Sequence, residues 1–238
     1  MIVLRSLLFY AFFIPCTISI AMLVLITRIF GREAAWQVGH LWGWCGNALL
    51  RLFCGINVKV EGREHIPSEP CVIVSNHQST WETTTFPTVF PPFVWILKKE
   101  LLYIPIFGWA LFALGSIAIV RSNPREALKQ VNTQGQAQLQ AGRCVVVFPE
   151  GTRMPAGKPG KYQPSAVMLA KQAKVAILPV AHNAGVCWPK GKILKYPGTI
   201  TIRILPPIAA EDVQAKKRND ILTECETRII AACQDIGG

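Results

Sequence analysis

Of the 238 residues, those best able to do chemistry stand in the run Asn76-His77-Gln78-Ser79-Thr80-Trp81-Glu82. It follows Cys71-Val72-Ile73-Val74-Ser75, an apolar run that reads as a buried strand. A histidine is thereby delivered to a strand's carboxyl end, with a carboxylate five positions on. A second apolar run, Cys144 to Phe148, delivers Pro149-Glu150-Gly151-Thr152-Arg153 in the same manner. Open α/β sheets hold their ligands at such strand ends. One end offers an imidazole base, the other a guanidinium beside a glycine turn. Together they suit a site that deprotonates a hydroxyl next to a bound phosphate.

No aspartate precedes Asp212, so Glu82 is the nearby carboxylate able to orient His77. If the chain turns into a helix around Ser79 to Trp81, Glu82 folds back to one ring nitrogen and leaves the other for substrate. A neutral imidazole with one nitrogen fixed as donor is a competent general base near pH 7. The same residues also read as a plain helix start, with Ser79 or Thr80 capping and Glu82 favouring the N-terminal dipole. Arg153 taken alone reads as a surface cation, whose ion pairs contribute about 0–1 kcal/mol. Of the other histidines, His40 falls in an amphipathic segment and His65 in a turn-like stretch. His182 ends the run Ile177 to Ala181 and can line the same sheet edge.

The elements that must position these groups alternate. Short β-rich runs occur at 58–60, 71–75, 93–97, 116–120, 144–148, 175–180 and 200–205, with helical stretches at 81–86, 106–113, 125–141 and 165–172. Asn123-Pro124 makes a good helix start and Ala141-Gly142 a good end. A single last helix is expected over 210–232, and Lys190 to Gly198 reads as a surface loop. The alternation predicts an α/β fold, a mixed, largely parallel sheet flanked by helices.

The amino-terminal part differs. Ser6 to Thr27 holds no charged residue, and Arg5 and Arg28 bracket it. About 20 helical residues cross a hydrocarbon core roughly 30 Å thick. Pro15 would kink such a helix. The stretch exceeds the roughly 7–15 apolar residues of a signal peptide and no small-x-small cleavage site follows, so a retained membrane anchor is expected. Residues 34–56 are apolar but broken by Gln37, His40, Asn47 and Arg51, and Trp36, Trp42 and Trp44 suit a headgroup interface. We therefore divide the chain into membrane-anchoring helices, 1–56, and a catalytic domain, 57–238.

The net charge of +11 points to anionic lipid or nucleic acid. With no nucleic-acid motif and a long apolar amino terminus, lipid is favoured, and the positive-inside tendency places the catalytic domain on the cytoplasmic side. Eight cysteines include no CxxC pair, and several sit in apolar elements as small hydrophobes. Neither a disulfide framework nor a metal site is expected, which suits a reducing compartment.

Four stretches resemble, in order, the motifs of the glycerophospholipid acyltransferase family. Asn76 to Glu82 resembles the first, histidine–four residues–aspartate, with Glu82 at the acidic position. Lys98-Lys99-Glu100-Leu101, Ile104 to Gly108 and Ile119-Val120-Arg121 resemble the second. Phe148 to Arg153 matches the third, and Ala176 to Val180 resembles the fourth. The likeness covers about residues 70 to 185. It departs at Glu82, one methylene longer than aspartate, and at Tyr162-Gln163-Pro164-Ser165, where the family often has aromatic-Lys-x-Gly. That second departure leaves Lys158 or Lys161 as substitute cations.

The resemblance implies transfer of an acyl group from acyl-CoA or acyl-carrier protein to the sn-2 hydroxyl of 1-acyl-glycerol-3-phosphate, giving phosphatidate. His77 is then the base and Glu82 its partner. Arg153 binds the phosphate, with Gly151 and Thr152 in its turn and Lys99 and Arg121 as further anion contacts. Asn76 and Glu150 support, Glu150 by holding Arg153 or the turn. No cofactor is implied beyond the thioester co-substrate, and the partners are lysophosphatidate, the thioester and membrane lipid. Trp95, Ile104, Phe107 and Trp109 are candidates for acyl-chain contact. Two other readings stay open: the same chemistry on a lysolipid with another headgroup, and a basic membrane-anchored binding protein without catalysis, which has no use for the His77–Glu82 pair.

Overall fold

A computed structural model describes residues 1–120 and 122–238. Seven strands among them form one sheet: β1 (Ile56–Glu61), β2 (Val72–Ser75), β3 (Phe93–Lys98), β4 (Ile117–Ile119), β5 (Cys144–Val147), β6 (Ile177–His182) and β7 (Gly198–Ile204). Their spatial order is β1-β7-β6-β2-β5-β3-β4. Every neighbouring pair is parallel except β6–β7. The expected mixed, largely parallel sheet is the observed fold.

The helices are α1 (Ile2–Thr27), α2 (Arg32–Leu49), α3 (Trp81–Thr85), α4 (Phe107–Ala113), α5 (Pro124–Gln140), α6 (Ser165–Ala173), α7 (Ala184–Cys187), α8 (Ala210–Ala215) and α9 (Arg218–Asp235). The central strands are covered on both faces, which is why they read as unbroken apolar runs. Ile73, Val146 and Leu178 point to one face and pack with Phe9, Phe13, Trp36 and Leu50 of the amino-terminal segment. Val72, Val74, Val145 and Val147 point to the other and pack with Leu139, Leu169, Val213 and Ile229. The hydrophobic core thus runs continuously across residue 56, and the amino-terminal helices form one of its layers.

Helix α1 continues unbroken through Pro15. Its outward side is a stripe of exposed apolar residues at helical spacing, among them Leu4, Leu7, Phe12, Ile18, Met22 and Ile26. Among the described residues one helical stretch, Ile2–Phe30, is long and apolar enough to cross a membrane, with a hydropathy of 2.3. Helix α2 departs from the expected interfacial helix. Trp36 is buried, Trp42 is half-buried with its indole N–H donating to Thr17 Oγ1 at 2.9 Å, and of the three tryptophans only Trp44 is exposed. The cause is close packing on α3: a Cβ on Gly43 would stand 2.6 Å from the Thr84 carbonyl oxygen. Thr85 Oγ1 also donates to Asn47 Oδ1 at 2.8 Å. Helix α2 therefore braces the short helix that carries Glu82.

Candidate active site

Strand β2 lies between β5 and β6, with Val72 in register with both Val145 and Ile177. Its carboxyl end sets Asn76 and His77 at the centre of the sheet edge. Asn76 is buried and clamps the neighbouring strand end: its Nδ2 donates to the His182 carbonyl at 2.9 Å, and its Oδ1 accepts the His182 N–H at 3.0 Å. The chain then turns into α3, where Ser79 Oγ accepts the Trp81 N–H at 3.1 Å.

Glu82 is fully buried and folds back over this turn. Its Oε1 accepts the backbone N–H groups of Gln78 and Ser79, each at 2.7 Å, and lies 3.1 Å from His182 Nε2. Its Oε2 makes no hydrogen bond and lies 3.6 Å from His77 Nδ1, which also has none. Both readings of this stretch are realised at once: one oxygen braces the helix start and the other faces the imidazole. Burial opposes ionisation of Glu82, but His182 and then His77 outweigh it and hold the carboxyl below the usual carboxylate range. The His77 ring stacks on Phe148, with centroids 4.1 Å apart and planes at 13°. The ring is thus fixed edge and face, with Nε2 left toward the open side.

Strand β5 brings the second group of residues. A turn closes with the Gly151 N–H donating to the Phe148 carbonyl at 3.0 Å, and Gly151 adopts φ +69°, a conformation that glycine takes without strain. Past the turn the chain runs beside the first loop, where the Met154 N–H donates to the His77 carbonyl at 2.7 Å. Arg153 thereby lies next to His77, its Nη1 donating to Thr80 Oγ1 at 2.7 Å. Glu150 holds the turn and not Arg153: its Oε2 accepts the His77 N–H at 3.2 Å, and a backbone N–H of Gly160 also reaches it. Burial pushes the Glu150 carboxyl up to about 7, with the Glu82 charge adding to the rise.

The structure therefore brings Asn76, His77, Glu82, Glu150 and Arg153 to one edge. Gly151 and Thr152 sit exposed at the tip of the turn. Lys99 is exposed in a 3-10 turn after β3, two strands from β2, and Lys158 and Lys161 are exposed as well. Arg121 lies outside the described residues. Thr80, a candidate helix cap in the sequence, instead accepts from Arg153 across the loops, and the sequence gives no sign of the Phe148 contact with His77. His182, which the sequence allows at the same sheet edge, is fully buried against Glu82.

Beside the site, between α1, α2, α4 and β3, lies an apolar cleft with about 590 Å³ of empty space. Trp36, Trp42, Trp95, Phe107 and Leu114 line it, and Thr83 stands at its edge near Glu82. Trp95 stacks on Phe148 at 5.8 Å, so an aromatic path joins the His77 ring to the cleft. Of the four residues proposed for acyl contact, Trp95 and Phe107 reach this space. Ile104 and Trp109 are on the surface.

Residues 57–183 match the model of the Acyltransferase family. A 1-acyl-sn-glycerol-3-phosphate acyltransferase of Pseudomonas aeruginosa is 51% identical over 170 residues, covering 71% of this chain and 66% of the relative. Its namesake from Saccharomyces cerevisiae is 30% identical over 207 residues, covering 83% and 68%. The matched stretch thus spans about two thirds of these relatives' length. The solved structure of the 1-acyl-sn-glycerophosphate (LPA) acyltransferase of Thermotoga maritima shares the fold with a TM-score of 0.83 at 24% identity, over 99% of this chain and 95% of that one. The family match contains both strand ends, from His77 through Arg153 to His182, and this chain belongs to the acyltransferase family.

Proposed function

We propose that this chain transfers a fatty acyl group from an acyl thioester, acyl-CoA or acyl-carrier protein, to the sn-2 hydroxyl of 1-acyl-glycerol-3-phosphate, giving phosphatidate. The observation that carries the reading is the fully buried Glu82 carboxylate, with one oxygen facing His77 Nδ1 at 3.6 Å and Arg153 in the adjoining loop.

In this reading Arg153 takes the lysolipid phosphate by charge-assisted hydrogen bonds, exchanging its present bond to Thr80. Lys99 and Arg121 stay candidate anion contacts on the strength of the family resemblance alone, and Gly151 and Thr152 let the backbone approach the phosphate. His77 Nε2 accepts the proton of the sn-2 hydroxyl as that oxygen bonds to the thioester carbonyl carbon. The imidazolium so formed is stabilised through Nδ1–H by Glu82 Oε2. An apparent contact longer than a hydrogen bond is ordinary for a catalytic pair without substrate. Collapse of the tetrahedral intermediate breaks the carbon–sulfur bond, and His77 returns its proton to the leaving thiolate. The nucleophile is the substrate's own oxygen, so no acylated side chain is required. Asn76 and Glu150 hold the loops, and the apolar cleft suits an acyl chain.

The exposed stripe on α1 fits a lipid surface, and with it we propose membrane attachment with the catalytic edge on the cytoplasmic side. The test is transfer of labelled acyl-CoA by the full chain in membranes, to lysophosphatidate and in parallel to a lysolipid with another headgroup. Labelled phosphatidate formed preferentially supports the reading. Preference for the second lysolipid reassigns the acceptor, and no transfer to either favours the binding-protein alternative.

A further inference from the structure

His182 lies 105 positions from His77, yet its ring touches the same carboxylate. It is fully buried. The Ala184 backbone N–H donates to His182 Nδ1 at 3.2 Å, so that nitrogen is an acceptor and the ring proton sits on Nε2. Nε2 in turn faces Glu82 Oε1 at 3.1 Å and the Asn76 carbonyl oxygen at 2.8 Å, both acceptors. The Asn76 side chain clamps the His182 backbone from both sides. The ring is thereby placed and its tautomer set before any substrate arrives.

We infer that His182 is a positioning residue for the acyl transfer proposed above. Its Nε2, 3.1 Å away, joins the N–H groups of Gln78 and Ser79 in holding Glu82 Oε1 and leaves Oε2 to face His77. The inference rests on that reading of His77 as base. A carboxylate turns about its last bond in a broad, roughly two-fold manner, so without help either oxygen can face the base. Two N–H hydrogen bonds and the His182 contact on one oxygen remove that freedom. They also compensate a charge withdrawn completely from water.

The same contact gives a physical reason for the departure from the family's aspartate. The carboxylate at position 82 must touch the imidazole of its own loop and a second imidazole at the end of β6. Glutamate, one methylene longer, spans the two rings. Asparagine at 76, glutamate at 82 and histidine at 182 form one interlocked set across β2 and β6. His182 is fully buried, its ring centroid 6.1 Å from those of both Trp81 and Phe86, so it acts through Glu82.

The test compares His182→Leu and His182→Gln in the full chain. Glutamine places an amide N–H near the Nε2 position, whereas leucine keeps bulk and donates nothing. We expect His182→Leu to lower kcat by about 10–100-fold, the usual cost of losing a partner one shell out, with both Michaelis constants unchanged, and His182→Gln to recover most of it. Nitrogen NMR of ¹⁵N-histidine-labelled wild type should show His182 protonated at Nε2 and bare at Nδ1. Wild-type kcat in His182→Leu, equal losses in both variants, or a proton on His182 Nδ1 would each overturn the inference. Wild type inactive on lysophosphatidate would instead count against the acceptor, and the NMR tautomer would still decide the role of His182.

Discussion

Glu82 and Glu150 follow adjacent strands at one sheet edge, and their surroundings push them in opposite directions. Glu82 is the more deeply buried, yet two imidazoles hold its carboxyl below the usual carboxylate range against that burial. Glu150 is half-buried and accepts backbone N–H groups of His77 and Gly160, but burial and its anionic neighbour push it up to about 7. The two imidazoles thus outweigh desolvation in the first case, and backbone amides together with His182 do not in the second. Two carboxyls driven apart in this way carry different roles. Glu82 stays ionised to stabilise an imidazolium. Glu150 ties two loops together and needs only acceptor oxygens, which it keeps when protonated.

The comparison breaks most visibly at Glu82. Glu82→Gln should lower kcat by roughly 100-fold or more, because an amide cannot stabilise the charged base. Glu82→Asp should retain more than Glu82→Gln, since it keeps the charge but reaches both rings less well. Equal rates in wild type and both variants would reduce Glu82 to a helix brace. Next in size is Arg153, on the loop that Glu150 holds. Arg153→Ala should raise the Michaelis constant for lysophosphatidate by about 10–100-fold, matching the 1.5–3 kcal/mol of a charged hydrogen bond. The constant for the thioester should change little, and Arg153→Lys should recover part. A shift confined to the thioester would move the phosphate site elsewhere.

Glu150→Gln should cost less than either, under about 10-fold in kcat, because its amide oxygen still accepts the His77 and Gly160 N–H groups. A loss equal to that of Glu82→Gln would assign Glu150 to the proton chemistry. The smallest effect is on stability. The folded state raises the Glu150 pKa, so it binds that proton more tightly than the unfolded chain does. Its contribution is therefore fully present below the ordinary carboxyl pKa and is lost as pH rises toward about 7. Thermal melts from pH 5 to 8 should show the wild type losing ground relative to Glu150→Gln as pH rises. Parallel curves would place Glu150 in an ordinary, solvated setting.

What was legible in the sequence follows from range. All seven strands were visible: the central ones because strands covered on both faces must be apolar throughout, and β1 and β7, which carry polar residues, by their β-branched side chains. His77, Glu82 and Arg153 were visible because each lies in the segment that follows such a strand, and two of the three contacts of Glu82 Oε1 come from its own near neighbours, Gln78 and Ser79. The third, His182, arrives from another strand, and no spacing announces it. The predicted last helix is two, α8 and α9, with Lys216 and Lys217 extended between them. Lys171 of α6 causes the break: its Nζ donates to the carbonyls of Val213, Gln214 and Lys216 and ends α8 there. The composition of 190–198 predicts a surface loop, yet Lys195 is buried under α1. Its Nζ lies over the Tyr10 and Trp188 rings and donates to Tyr10 Oη at 2.6 Å. A lysine surrounded by lysines, prolines and glycines gives no local sign of a partner 185 positions away.

The most direct test of the base itself is the initial rate of phosphatidate formation by the folded, full-length His77→Ala variant, with lysophosphatidate and acyl-CoA both saturating. Removal of a general base should lower the rate by about 10²–10⁴-fold against wild type, with melting temperature and membrane recovery unchanged. A folded variant that keeps more than half of the wild-type rate contradicts the mechanism.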